Sequence, residues 1–585
     1  MRTNTRVHFG LYDVTARGDS SPISEQSQPF CDLERDLLTE SVPALTKYGT
    51  LENRQFLMDG SFSLFPDDPT PEYWGLWSLT QSGSDGRFDE PPVLEISFTQ
   101  EHSSAGLTLH FYEPTEDWAS DVLIQWYGSN EELLGTGRFA PNAVDYYCAK
   151  KVEGYRRVKI TFLATSRPGR YLKLAALDYG VSMTFAGDEV VTAHVLESID
   201  PLASELTINT LDLTLFNKDG AFSILNPDGV FDVLQHKQKF TVYEDVRDGK
   251  EIVTHNMGTF YLSDWENSSD TLASFTATDA VGLLDSAPYE GGLYDGTTAA
   301  SLAADILAAD ILAGYDYDLE TALQQETVRG YLPACTRREA LQQFAFSLGA
   351  VVDCSRSDKI RIYRAPTRPS SLITYRRKWL GPKVTLRPLI TGVEITAHQY
   401  VRDAETSELY RDTLSPGEHT ISFSDPCQAT GCTGGELVIS GTNSAVVRVS
   451  QEGEVTVTGY KYQDQQTIVA RRATDLPANA QDNVLQVSDA TLVHPGNAPA
   501  LAEHILDYYA GRYEQNFTML AGAEVLADMV VVESFGGEKV RGDIEQMEFD
   551  LTGGFVADTL VVGRRLNTTA EAYTSEIRAG ERSLI

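Results

Sequence analysis

Glu205-Leu206-Thr207-Ile208-Asn209 and Leu211-Asp212-Leu213-Thr214-Leu215 form two adjacent runs in which apolar and polar residues alternate. A period of two marks a half-buried strand, because successive side chains leave a strand on opposite faces. The texture decides the fold class because it recurs along most of the 585 residues. Upstream it appears in Leu94–Phe98, Leu107–Phe111, Val122–Tyr127, Val158–Phe162 and Tyr171–Leu174. Downstream it returns in Lys239–Tyr243, Gly258–Leu262, Gly392–Thr396, Gly417–Phe423, Ala445–Val449, Glu454–Val457, Asp528–Val532 and Ile544–Leu551. Asn226-Pro227-Asp228-Gly229 and Arg247-Asp248-Gly249-Lys250 are turn signals. The chain is therefore expected to be mainly β and multidomain: a β-sandwich or jelly roll plus barrel-like β-domains, with a small α/β portion and three or so short helices.

The helices are expected at Thr297–Ala313, stopped by Gly314, at Arg337–Leu348, and at Ala498–Arg512. The second is opened by the capping box Thr336-x-x-Glu339 and closed by Gly349. A shorter one is expected around Asp32–Leu38. The length suggests several domains. Residues 1–55, polar and punctuated by Ser-Pro and Ser-Gln, read as an N-terminal arm or docking segment, and 56–180 as a jelly-roll β-sandwich. Residues 181–290 read as a β-domain, 291–370 as an α/β domain and 371–560 as a second β-domain. The last carries a β insertion at 402–450 and a helix at 498–512, and 561–585 form a polar tail.

With 47 Lys+Arg against 84 Asp+Glu the formal charge is −37, which disfavours tight binding to nucleic acid or to anionic membrane surfaces. The start leads into no apolar stretch, so no secretory signal is expected. No membrane span is expected either: the nearest apolar run, Ser301–Ala313, is broken by Asp305 and Asp310. The six cysteines are too sparse for a disulfide scaffold. Cys427 and Cys432, the one close pair, read equally as a bridge or as two thiols.

No phosphate loop, nucleophile elbow or His-Glu-x-x-His motif is present, so no catalytic residue, cofactor or metal is expected. His504 and Asp507, three apart on one helix, have a spacing that could share a metal, although an exposed helix face is the simpler reading. Arg17-Gly18-Asp19 and Arg541-Gly542-Asp543 read as coincidences, the second in a hairpin turn between strands. Tyr73, Trp74 and Trp118 are the candidate glycan-binding residues, since aromatic rings around a jelly roll can stack on sugars. Core packing competes with that reading, and Trp126 is expected to be buried.

Leu211–Asn217 followed by Asn226-Pro227, then Gly258–Trp265, Phe275–Leu284, Asp358–Tyr363 and Leu551-Thr552-Gly553-Gly554 occur in that order. In this order they resemble the tail-tip or baseplate hub proteins of bacteriophages and of contractile injection systems, over about 181–560. Residues 56–180 separately resemble a discoidin-like or galactose-binding-type jelly roll, through Pro92–Phe98 and Gly106–Leu109. The resemblance implies a structural virion protein, made in the host cytoplasm, that forms a homotrimeric ring at the distal end of the tail tube. It implies contacts with distal tail and tail-tube proteins and with a central fibre, spike or receptor-binding protein. DNA would pass through the lumen without specific binding, and the jelly roll would touch a host surface glycan or a protein. Two alternatives remain open: a glycan-binding host-recognition protein acting through the jelly roll, and a cell-surface hydrolase with an unrecognised acid pair.

Overall fold

The computed structural model describes residues 2–12, 14–24, 48–50, 52–53, 55–56, 58–63, 75–217, 222–223, 237–248, 251–269, 271–308, 316–379, 382–474, 476–534 and 536–566. Strands dominate, as the alternation predicts, and the helices are short. The expected helix at Asp32–Leu38 lies outside the described residues, as does the end of the one expected over Thr297–Ala313.

The strands between residues 76 and 178 join in one sheet. Its order is Leu76–Gln81, Tyr171–Asp178, Val93–Phe111, Asp145–Thr165, Ala119–Tyr127 and Leu133–Phe139. Val93–Phe111 and Asp145–Thr165 run antiparallel along their length, with register shifts between Ser97 and Gly106. Such irregularities bend and twist a strand pair. One face buries Leu94, Ile96, Val122, Ile124, Trp126, Val158, Ile160 and Phe162, every second residue of each strand.

A second sheet has thirteen strands. Val190–Ser198 pairs on one side with Thr210–Phe216 and on the other with Lys539–Asp550, His194 facing Asp550 and Ser198 facing Gln546. Strands from both expected β-domains thus share one hydrogen-bonded sheet. At its far end Arg2–Tyr12 lies between Lys239–Asp248 and Gly180–Ala186. This corrects the expectation of an N-terminal arm for those residues: Val7 and Phe9 are fully buried. The physical reason is visible afterwards, because Thr5, Val7 and Phe9 are one face of a strand whose neighbours carry Phe240 and Val242 in register. Ser21–Ile23 likewise pairs with Val93–Phe111.

The deciding stretch is itself only partly a strand. Thr210–Phe216 is one, whereas 205–209 is loop. There the Asn209 backbone N–H donates to Asp279 Oδ2 at 3.0 Å, and Asn209 Oδ1 accepts from the Ser198 N–H at 2.9 Å. These side chains take backbone groups that a strand partner would otherwise have used.

Between the two halves of the large sheet sits the α/β unit. Helices Ala299–Leu307 and Arg337–Leu348 pack around a core that includes Leu302, Ile306, Leu341, Phe344 and Ile360. The second helix has its capping box, and Gly349 ends it in the left-handed conformation, φ 58°. Gly392–Arg402 pairs with Gly453–Arg472 over eleven residue pairs, and helix Ala498–Tyr509 covers that ribbon through Leu501, Ala502 and Ile505. A small separate core of Ile421, Ala445, Val447, Val455 and Val457 lies under the strands between 417 and 457. Among the described residues no helix is long and apolar enough to cross a membrane.

Candidate functional site

Of the three aromatic residues expected to meet a glycan, Tyr73 and Trp74 lie outside the described residues. Trp118 is half-buried and rests against the core of the seven-stranded sheet. Its backbone is fixed by Ser166: the Trp118 N–H donates to Ser166 Oγ at 3.2 Å, and the Ser166 N–H to Trp118 O at 2.8 Å. Trp77 and Trp126 are buried. Tyr127 is capped by the Arg157 guanidinium, 4.1 Å from the ring centroid. Core packing thus accounts for Trp77 and Trp126.

Next to the Trp118 segment in sequence, a polar cleft of about 490 Å³ opens on the same sheet, lined by Asp85, Arg87, Ser120, Asp121, Arg138 and Phe139. The sequence reading missed it, because its residues come from a turn and two strands with no local motif. Arg138 clamps the Asp121 carboxylate through Nε at 2.8 Å and Nη2 at 2.6 Å, a bidentate arrangement that fixes both planes. That hydrogen bonding holds the Asp121 carboxyl below the usual range. Arg87 stands 3.7 Å from the same carboxylate, too far for a hydrogen bond, and its side chain is largely exposed. Its backbone N–H is taken by Asp85 Oδ1 at 3.0 Å. Donors, acceptors and one ring edge in an open cleft suit a polyhydroxylated ligand better than an apolar one.

Two charge clusters tie strands together, the first within the seven-stranded sheet. His110 donates from Nδ1 to Asp145 at 2.7 Å and from Nε2 to Asp178 at 3.0 Å. Burial alone would lower its pKa, but the two carboxylates outweigh that and raise it to about 10. The ring is therefore a structural imidazolium. Arg356, itself at φ 50°, reaches Glu197 Oε1 at 3.0 Å, the Glu524 carbonyl at 3.0 Å and Met547 Sδ at 3.5 Å. Its guanidinium lies 4.9 Å from the Phe549 ring centroid. One side chain thereby joins the α/β unit to both halves of the large sheet.

Among the described residues no group of three or more His, Cys, Asp or Glu is placed to hold a metal. Asp507 is engaged by Arg564, and the His504 ring lies against Gly349. Cys427 and Cys432 are both free thiols. Arg541-Gly542-Asp543 lies inside strand Lys539–Asp550 rather than in a hairpin turn. Gly542 faces Gly563 there, and a Cβ on it would sit 2.3 Å from the Val562 carbonyl, so close strand packing explains that glycine. Asp19 of the other tripeptide is bound by the Gln100 N–H at 2.9 Å and by His102 at 3.0 Å.

No family model and no curated protein sequence matches the chain. Solved structures do. A 43 kDa tail protein of a Shewanella oneidensis prophage is similar at 14% identity and a TM-score of 0.39, over 65% of this chain and 96% of that one. A prophage tail protein of Listeria monocytogenes is similar at 8% identity and a TM-score of 0.39, over 67% and 94%. A type VI secretion system component of E. coli is similar at 9% identity and a TM-score of 0.29, over 65% and 76%.

Proposed function

We propose that the chain is a structural hub of a phage-like tail tip, three copies forming a ring that joins the tail tube to the tip and lets DNA pass. The observation that carries this reading is the ordered series of motifs from Leu211 to Gly554, now read together with the sheet they build. Val190–Ser198, paired on one side with Thr210–Phe216 and on the other with Lys539–Asp550, joins a strand of the first motif to the strand that leads into the last in one wall. A wall of this kind suits a tube segment, and its open edges suit lateral joining to further copies. Distal tail proteins, tube proteins and a central spike or fibre are the partners this role requires, and the ring would sit at the distal end of the virion tail. No catalytic step belongs to it.

Three copies would carry 3 × −37 = −111 charges. Acidic residues between 181 and 560 lining the lumen would repel DNA and keep it from sticking. The test is the native mass of the full chain by light scattering after size exclusion, followed by imaging. A threefold ring with an acidic lumen is expected; a stable monomer at all concentrations, or a basic lumen, counts against it.

The seven-stranded sheet is the proposed docking or host-contact platform, in keeping with its jelly-roll resemblance. The cleft of Asp85, Arg87, Asp121 and Arg138 favours a second reading, in which this sheet takes a surface glycan, with Tyr73, Trp74 and Trp118 as further candidates. Glycan-array binding by the full chain, lost in Arg87→Ala and Arg138→Ala, would support it.

A further inference from the structure

Beneath the seven-stranded sheet, Lys173 Nζ lies 2.5 Å from Glu52 Oε2, and both side chains are completely shielded from solvent. Lys173 belongs to strand Tyr171–Asp178, and its ammonium sits 5.2 Å from the Trp77 ring centroid. Glu52 lies outside the sheets formed by the described residues, and 121 positions separate the two residues. The Glu52 carboxyl is oriented on both sides. Oε1 accepts the Tyr171 backbone N–H at 2.8 Å, and Oε2 also accepts Thr50 Oγ1 at 2.5 Å.

A second acid shares the enclosure. Asp117 is 2% exposed, stands 3.4 Å from Arg170 Nε, and neither of its carboxylate oxygens has a hydrogen-bond partner. It is close enough for its charge to act on both Glu52 and Lys173. Removing water from an ion pair penalises both charges, so the neutral amine and neutral acid become accessible partners. Burial lowers the Lys173 pKa, which favours the unprotonated amine. An amine held against a carboxyl group in a fixed orientation has the geometry of a condensation.

We propose that Lys173 Nζ and Glu52 Cδ become joined by an intramolecular amide bond. Nζ first gives one proton to the Glu52 carboxylate. Its lone pair then attacks Cδ, and the developing oxyanion is held by the Tyr171 N–H. Nζ passes a second proton to the departing hydroxyl. The Cδ–O bond breaks, one water leaves, and the amide keeps a single N–H. No oxidant, reductant or further reactant is needed. The bond pins the segment around Glu52 to the sheet, and it stands whether or not the chain forms a ring.

The test is the intact mass of the full, denatured chain, followed by tryptic mapping. The expected mass is one water below that of the sequence. Trypsin should fail to cut after Lys173, and one branched peptide should contain both residues. Lys173→Arg should return to the full sequence mass, while Glu52→Gln should lose ammonia in place of water. A wild-type chain at full sequence mass, cleaved normally after Lys173, overturns the proposal without reference to any variant.

Discussion

Single residues in this chain act mainly by joining elements distant in sequence, and Arg356 does so most extensively. Glu197 is 1% exposed, and the Arg356 side chain is 8% exposed. Removing one partner of such a pair leaves a buried charge unanswered, which typically costs about 3–5 kcal/mol. Arg356→Ala should therefore lower stability by about 3 kcal/mol or more in urea unfolding, and Arg356→Lys should rescue little, because a lysine cannot reach Glu197, Glu524 O and Met547 together. His110 gives a pH signature. Its folded pKa, about 10, lies above the ordinary value near 6.5. Its contribution is then fully present below about 6.5 and fades as pH rises through about 10. Thermal midpoints between these limits should fall with pH in the wild type and less steeply in His110→Gln. Neither residue was legible in the sequence. Their partners Asp145, Asp178, Glu197, Glu524 and Met547 are scattered over hundreds of positions, and only the fold brings them together.

At the scale of elements, local signals were read well wherever a local interaction sets the structure. In helix Arg337–Leu348, Thr336 Oγ1 accepts the Glu339 N–H at 3.2 Å and Glu339 Oε2 accepts the Thr336 N–H at 2.8 Å. Thr336→Ala should cost about 1 kcal/mol, measurable by chemical denaturation. Strands were legible from alternation but their limits were not. Residues 205–209 alternate yet lose their strand to the Asn209 and Asp279 side chains, and Arg541-Gly542-Asp543 continues a strand where a turn was expected. The strand Gly453–Arg472 shows a different kind of exposure. Among the described residues, the edge carrying Cys427–Thr433 is covered only as far as Lys461 in the ladder. From Gln463 to Arg472 all residues but Val469 are exposed, and Ile468 is 68% exposed. An uncovered edge of that length is a template for another chain. Ile468→Lys should therefore reduce self-association in concentration-series light scattering while leaving the circular dichroism spectrum unchanged.

Over the whole molecule, the organisation departs from a row of domains because one sheet gathers strands from residue 2 to residue 565. Pair register between strands so far apart leaves no trace in a single sequence, so the polar texture of the first 55 residues concealed Arg2–Tyr12. The two readings of that strand differ in outcome. If residues 2–12 were a docking arm, their deletion would leave folding intact and weaken only association. As a strand flanked on both sides, they cover Phe240 and Val242 and complete a core that includes Val7 and Phe9. Deleting them should yield aggregated or unfolded protein, read by solubility and loss of a cooperative thermal transition. Assembly has its own signature, set by charge. Copies carrying −37 each repel one another, and the repulsion reaches across a Debye length of about 10 Å at 0.1 M salt and only about 3 Å at 1 M. If edge pairing and apolar contact hold the proposed ring, added salt screens the repulsion and the threefold mass should gain population as ionic strength rises. If oppositely charged patches hold it, salt should dissociate the ring, and the seam would then be sought among the exposed arginine–carboxylate pairs instead of the open strand edges.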